Sequence, residues 1–445
     1  MLDDGLRVRD DQRKSWAAIA FIRAGGMFSA PSLMVGAVLG MGLALPGAAL
    51  ATLLGYGFVV AYMCFVSMQA ADLGVPTVSL AAASLGRSGA RYLVSMLVGI
   101  VTIGWFGVQT GVCGASLSFM LADVAGVSVP VWACSIALGA LMLATALLGF
   151  DGLKWLSSLA APFLMLVCLY GVVASVSQSG SVEPLLAYVP LPVDAIGFMA
   201  GVNMAIGLFA FGGATAGDFA RFARNRKDAV LSCVVGVMPA ALIAVVAGAA
   251  LAIASGIDDI AVLMNSIGLP AVGLVALVLS AWTVNAGNIY SAGLGFAVML
   301  GRDEGGSKWT TLIAGLLGIA LAVAGILGWF ESFLTVLSAC GPVLAGVMMA
   351  DYWLVRKGRP ENVRVDTGVN AAGVAALLLG FLSALVTSGF FAGVPVLGAL
   401  SAPWLSGPVV GLAASAAVYV VAYRATGLPR FAGPVRLVRR VREVS

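Results

Sequence analysis

Trp105 and Gln109 stand four residues apart in a long apolar run, so on a helix they share one face. Trp105 lies about 14 residues, or ~21 Å of helix rise, from Arg91 at the end of that run, too deep for a tryptophan of the membrane-interface belt. An indole supplies a flat π face, and a carboxamide supplies both donor and acceptor; together they suit a planar molecule with an N–C=O edge. Asn285 and Asn288 are further amides inside an apolar run, read either as ligand partners or as interhelical hydrogen bonds. Arg23 is the one deep charge. It either snorkels to the inner interface or has a function at depth.

Other chemistries lack their residues. The 445-residue chain has no histidine, which removes histidine acid–base catalysis and histidine-ligated metals. Its six cysteines (Cys64, Cys113, Cys134, Cys168, Cys233 and Cys340) lie in apolar segments without metal-ligand spacing and read as reduced packing residues. No carboxylate cluster or nucleophile–base pair occurs at one depth, and no filter motif repeats, so neither an enzyme nor a channel is expected. No cofactor is expected either; the open question is a coupling ion, Na⁺ or H⁺.

The elements that hold these residues must cross a membrane. With 61% hydrophobic and 10% charged residues, the chain lacks the charge to cover a water-facing surface. Apolar runs of about 20 residues predict twelve spans, near 16–43, 47–70, 92–122, 128–150, 153–177, 196–220, 229–255, 269–299, 309–329, 332–354, 370–390 and 405–423. The sixth/seventh and ninth/tenth divisions are blurred by Gly and Pro. Alternate loops carry the Lys and Arg residues, which places both ends in the cytoplasm of a multi-pass protein of the cell (inner) membrane. The net charge of +4 follows this topology and implies no nucleic-acid partner. The expected partners are the lipid bilayer and a small-molecule substrate, with the protein a monomer. The segment 71–91 is too short to span and reads as an interfacial or cytoplasmic helix.

Two spans carry matching glycine clusters, Gly25–Ser32 in the first and Gly207–Gly213 in the sixth. Such clusters either let helices pack closely or free backbone groups that must line a cavity or bind an ion. In spans one and six, the second reading is what two inverted five-helix repeats would show.

At these residues the chain resembles the nucleobase–cation symporter family, with its closest resemblance to the cytosine permeases. MFSAPSLMVGAVLGMGL, GWFGVQ, GGATAGDFARFARNRKDAV, WTVNAGNIYSAGLGF and GPVLAGVMMADYWLVRKG carry the likeness, in family order over about 340 residues. The resemblance implies an all-α fold of twelve helices: the leucine-transporter 5+5 inverted repeat plus two C-terminal helices. In these terms the chain divides into a tail (1–15), a first repeat (16–177), an external loop (178–195), a second repeat (196–354), the last two spans with their connection (355–423) and a basic tail (424–445). It also implies cation-coupled, alternating-access transport of a nucleobase or related heterocycle: cytosine as lead, or allantoin, hydantoin, a purine or a thiamine-precursor pyrimidine, with proton-coupled or sodium-independent transport as the alternative. In such transport the bundle of spans one, two, six and seven rocks against the scaffold.

By resemblance Trp105 stacks on the substrate, Gln109 gives amide hydrogen bonds, and Phe209 closes over the ring beside Gly212. Thr102 stands where cytosine permeases place a polar amide, and Leu208 replaces a small hydroxyl residue. Sodium would bind backbone carbonyls near Gly25, Phe28 and Ser280, together with two hydroxyls. Thr283 keeps one of these, but Val284 has lost the other. A hard cation wants about five or more oxygens, so the loss weakens the site, and Arg23 is a candidate surrogate for the ion. Asp218 and Asp351 read as ion pairs at helix ends, or as a gate or proton carrier.

Overall fold

Proline sets the first two interruptions of the chain. α1 (Trp16–Met27) stops because Pro31 has no amide hydrogen and its ring would strike the Met27 carbonyl, four residues back. Phe28 and Ser29 leave helical geometry, and α2 (Ala30–Leu73) starts with Pro31 in its first turn, where the absent N–H costs nothing. The released Met27 carbonyl accepts from Ser32 Oγ at 2.7 Å, and the Phe28 carbonyl accepts from Ser280 Oγ at 3.1 Å.

α2 has 44 residues, ~66 Å if straight and twice a bilayer core. It is divided at Ala44, which sits at φ 59 and ψ 169, in a region strained for a residue with a Cβ, with Pro46 just beyond. The Gly42 carbonyl that Pro46 releases accepts the Ile196 amide at 3.2 Å. One long helix thereby becomes two passes, divided where the sequence places the boundary between its first two spans.

The computed structural model describes residues 7–148, 151–257, 262, 270–301 and 304–426. The basic tail beyond Thr426 and much of the loop before the eighth span lie outside the described residues. Among the described residues the sole bridge of β type pairs Lys14 with Ala223. The remaining principal helices are α3 (Thr77–Leu85), α4 (Ser95–Ala125), α5 (Val131–Leu148), α6 (Asp151–Ser179), α7 (Phe198–Ala214) and α8 (Gly217–Ala220). They continue with α9 (Arg226–Ser255), α10 (Pro270–Leu300), α11 (Glu304–Val323), α12 (Phe330–Met349), α13 (Ala371–Thr387) and α14 (Gly407–Ala425). Among the described residues, seven helices are long and apolar enough to cross a membrane and five shorter ones are apolar. With α1 joined to the first half of α2 as one pass, the arrangement is consistent with twelve. Large apolar side chains such as Leu148, Val173 and Leu316 face outward, as a lipid-solvated surface requires.

One expectation needs correction. The sixth span is not interrupted at Gly207–Gly213: α7 runs unbroken to Ala214. Those glycines are contact points instead. A Cβ at Gly207 would lie 2.6 Å from the Leu334 carbonyl, and one at Gly213 would lie 2.8 Å from Tyr62. The break comes afterwards, at Thr215 and Ala216, before α8. In the 71–91 segment, too short to span, α3 is almost wholly buried against the rest of the protein. Its Thr77 binds the break, the hydroxyl donating to the Thr215 carbonyl at 3.0 Å and the amide to Asp218 Oδ1 at 2.9 Å.

Candidate functional site

The cavity lies between the two breaks. It measures about 400 Å³, within the usual range for small-molecule sites. Its walls come from the α1–α2 break (Met27, Ser29, Ser32), from α4 (Thr102, Trp105, Gln109), from α7 (Phe209, Gly212) and from Asn288 of α10. From Trp105 it runs past Asp218 and Phe219, toward the side that carries the basic loop 221–227. Phe333 and Phe330 of α12 pack on Trp105 in T-shaped pairs, with ring centroids at 5.2 and 6.5 Å.

Packing holds the two aromatics. Phe209 lies over Tyr56 of α2, centroids 6.4 Å apart and planes 17° from parallel. A Cβ at Gly212 would stand 2.5 Å from the Phe209 ring, so the bare glycine gives that ring its place. Trp105 is half-buried, with one side against the α12 phenylalanines.

The amides divide. Gln109 lines the cavity, donates from Nε2 to Asn285 Oδ1 at 3.1 Å, and keeps Oε1 buried without a protein partner among the described residues. Asn288 also lines the cavity. Asn285 does not line it. Its Nδ2 is held by the Phe106 carbonyl and Thr110 Oγ1, both at 3.2 Å, in the interhelical role that the sequence left open. Thr102 reaches the cavity, but its hydroxyl donates to the Val98 carbonyl at 2.7 Å.

A family model described as a permease for cytosine/purines, uracil, thiamine and allantoin matches residues 8–406. The chain belongs to this permease family. The cytosine permease of Escherichia coli (strain K12) is 33% identical over 376 residues, which are 84% of this chain and 86% of the relative. Mhp1, a nucleobase-cation-symport-1 family transporter solved closed with bromovinylhydantoin bound, matches with TM-score 0.76 at 18% identity, covering 96% of this chain and 97% of that one. A Na⁺-coupled sialic acid symporter in an outward-open state matches with TM-score 0.61 at 10% identity, covering 96% and 92%. The permease therefore has the expected transporter fold, and it is a multi-pass membrane protein.

In this permease the residues read as a cation set also come together. Gly25, Phe28, Ser280 and Thr283 line a second cavity of about 410 Å³ between α1, α6 and α10, with Val284 among them. The set is partly self-satisfied. Besides the Ser280–Phe28 bond, Thr283 Oγ1 donates to the Ser280 carbonyl at 2.9 Å.

Arg23 neither snorkels nor reaches that set. It is 5% exposed and sits inside the bundle. Nη1 contacts Ser232 Oγ at 3.3 Å and Cys233 Sγ at 2.7 Å, while Nη2 contacts Ser67 Oγ at 3.4 Å and the Ala216 carbonyl at 3.2 Å. One guanidinium thus ties α1, the second half of α2, the break after α7, and α9.

Asp218, just past that break, accepts the Thr77 amide at 2.9 Å through Oδ1. Asp351 pairs with Arg356 at 3.3 Å and accepts from Tyr419 Oη at 2.8 Å, which fastens α14 to the end of α12.

Sequence reasoning missed three features. Tyr56 gave a usable signal, a tyrosine far from the interfaces where tyrosines collect. Ser29 and Ser32 were visible in the break but had no role assigned. Asp72, Arg226 and Tyr352, which join at the ends of α2, α9 and α12, are distant in sequence and gave no signal.

Proposed function

We propose that this permease imports a small planar nucleobase-type ring across the cytoplasmic membrane by alternating access, acting as a monomer with both ends in the cytoplasm. The observation that carries the reading is the cavity at the two helix breaks, with Trp105 and Phe209 in its walls and the Gln109 and Asn288 amides beside them. Aromatic faces accept any flat heterocycle, whereas buried amides discriminate by hydrogen bonding. The cytosine permease at 33% identity makes cytosine the lead; a purine, allantoin, a hydantoin or a thiamine-precursor pyrimidine is the alternative. The basic loops mark the cytoplasmic side, so a cavity reaching Asp218 is open inward. The test is saturable uptake of radiolabelled cytosine into proteoliposomes, with the other rings as competitors and chemical recovery of the ring unchanged.

Coupling is proposed to be independent of sodium. At the α1–α10 junction Val284 supplies no oxygen, and the Ser280 hydroxyl already bridges to the Phe28 carbonyl, the link that a cation would otherwise make. The same assay in sodium-free choline medium decides it.

A further inference from the structure

The Gln109 amide has one orientation open to it, and Asn285 sets it. Asn285 Nδ2 lies 3.2 Å from the Phe106 carbonyl, which can only accept, so the Asn285 nitrogen must face it. Oδ1 is then turned to Gln109, and the Gln109 atom 3.1 Å away must be its nitrogen. Asn288 Nδ2 approaches the same oxygen at 3.5 Å. Gln109 is left with Oε1, buried in the cavity wall without a protein partner among the described residues.

Three hydroxyls of the cavity wall are spent in the same way. Thr102 gives its proton to the Val98 carbonyl, and Thr215 gives its proton to the Phe211 carbonyl. Ser32 donates to the Met27 carbonyl, so in its contact with Ser29 it must be the acceptor. Thr102, Trp105 and Gln109 fall at i, i+3 and i+7 on one face of α4. A ring over Trp105 therefore has an acceptor toward each end, with Thr102 and Gln109 separated by ~10 Å of helix rise.

We propose that Asn285 is a positioning residue that fixes Gln109 as a hydrogen-bond acceptor, so that the site selects rings carrying N–H donors at opposite ends. This rests on the cavity being the nucleobase site. A 4-aminopyrimidine with a ring N–H across from its amino group meets the requirement. Its 4-oxo counterpart sets oxygen against oxygen at one end, and the ring without the amino group leaves one acceptor unmet.

The experiment is titration calorimetry on the detergent-purified protein with cytosine, uracil and pyrimidin-2-one. Wild type is expected to bind cytosine about tenfold or more tightly than either other ring. In Asn285→Ala, where Gln109 is free to turn its nitrogen to the ligand, the ratio is expected to fall to within about threefold while cytosine still binds. Gln109→Leu removes the acceptor without touching Asn285. It serves as the second variant if Asn285→Ala does not fold, and it is expected to collapse the ratio by weakening cytosine alone. Equal binding of all three rings by wild type, or an unchanged ratio in the variants, overturns the positioning role and leaves the nucleobase reading standing. Binding of none of the rings by wild type overturns that reading and this inference with it.

Discussion

Arg23 donates to the carbonyl of Ala216 at 3.2 Å, joining the first helix of the chain to the break that follows α7. The other groups it touches have further partners: Ser232 Oγ donates to the Ala229 carbonyl, and Cys233 Sγ contacts both Ser67 and Ala229. The Ala216 carbonyl likewise accepts the Ala220 amide at 2.9 Å, so every group that Arg23 touches has a second partner. Arg23→Leu is therefore expected to lower stability modestly, by about 1–3 kcal/mol, through loss of the guanidinium's hydrogen bonds rather than through an acceptor left unmet. Thermal unfolding in detergent measures this. The same variant separates a structural tie from an ion surrogate. Uptake by Arg23→Leu should remain independent of sodium; sodium dependence gained on removing the guanidinium would restore the surrogate reading.

Trp105 supplies the flat wall of the cavity, braced by Phe330 and Phe333. Trp105→Ala should abolish ring binding, whereas Trp105→Phe keeps a π face and should weaken it by about 1 kcal/mol. Equilibrium binding of labelled cytosine distinguishes the two, and normal transport by the alanine variant would show the site to be elsewhere.

Gly212 tests whether the Phe209 ring must lie where it does. An added Cβ meets that ring at 2.5 Å, so Gly212→Ala should push Phe209 off Tyr56 without disturbing the α7 helix. Alanine favours a helix by roughly 1 kcal/mol over glycine, so thermal stability should hold while substrate affinity falls. A loss of both would point instead to a packing role.

Sodium-free uptake should equal uptake in sodium medium, because the Ser280–Phe28 bond holds α10 to the α1–α2 break by itself. Ser280→Ala removes that bond and should slow transport equally in both media. Radiolabel uptake in choline and sodium buffers is the measurement.

Asp72 and Arg226 form a fork between the bundle helices α2 and α9, with Nη2 2.7 Å from Oδ2. Tyr352 Oη donates to the same Asp72 oxygen, and Arg226 Nη2 donates to the Gly358 carbonyl, so the pair also grips the segment after α12. Asp72→Asn should cost about 1 kcal/mol, since Arg226 is partly exposed. It should also raise the rate at which single cysteines placed in the cavity react with a water-soluble maleimide. Unchanged labelling would mean that the fork does not restrain the bundle.

Composition and local pattern alone determined that the chain is a membrane bundle of apolar helices and which face of α4 carries Trp105 and Gln109. These depend on apolar length and helical periodicity, which are properties of neighbouring residues. Pro31 likewise marked the first break, because a proline acts on its own helix. The break after α7 was misplaced because glycine has two uses. Whether Gly207 and Gly213 free the backbone or admit a neighbour is decided by Leu334 and Tyr62, far away in sequence. Arg23 shows the same limit. Its depth was legible but its burial was not; its partners come from α2, α9 and the break after α7, and only their packing turned a lone charge into the tie of the bundle. The direction of the Gln109 amide is tertiary as well, since it is imposed through Asn285 by the carbonyl of Phe106. Local sequence sets where helices start, stop and turn their faces; the pairing of buried donors with acceptors between helices is fixed only when those helices meet.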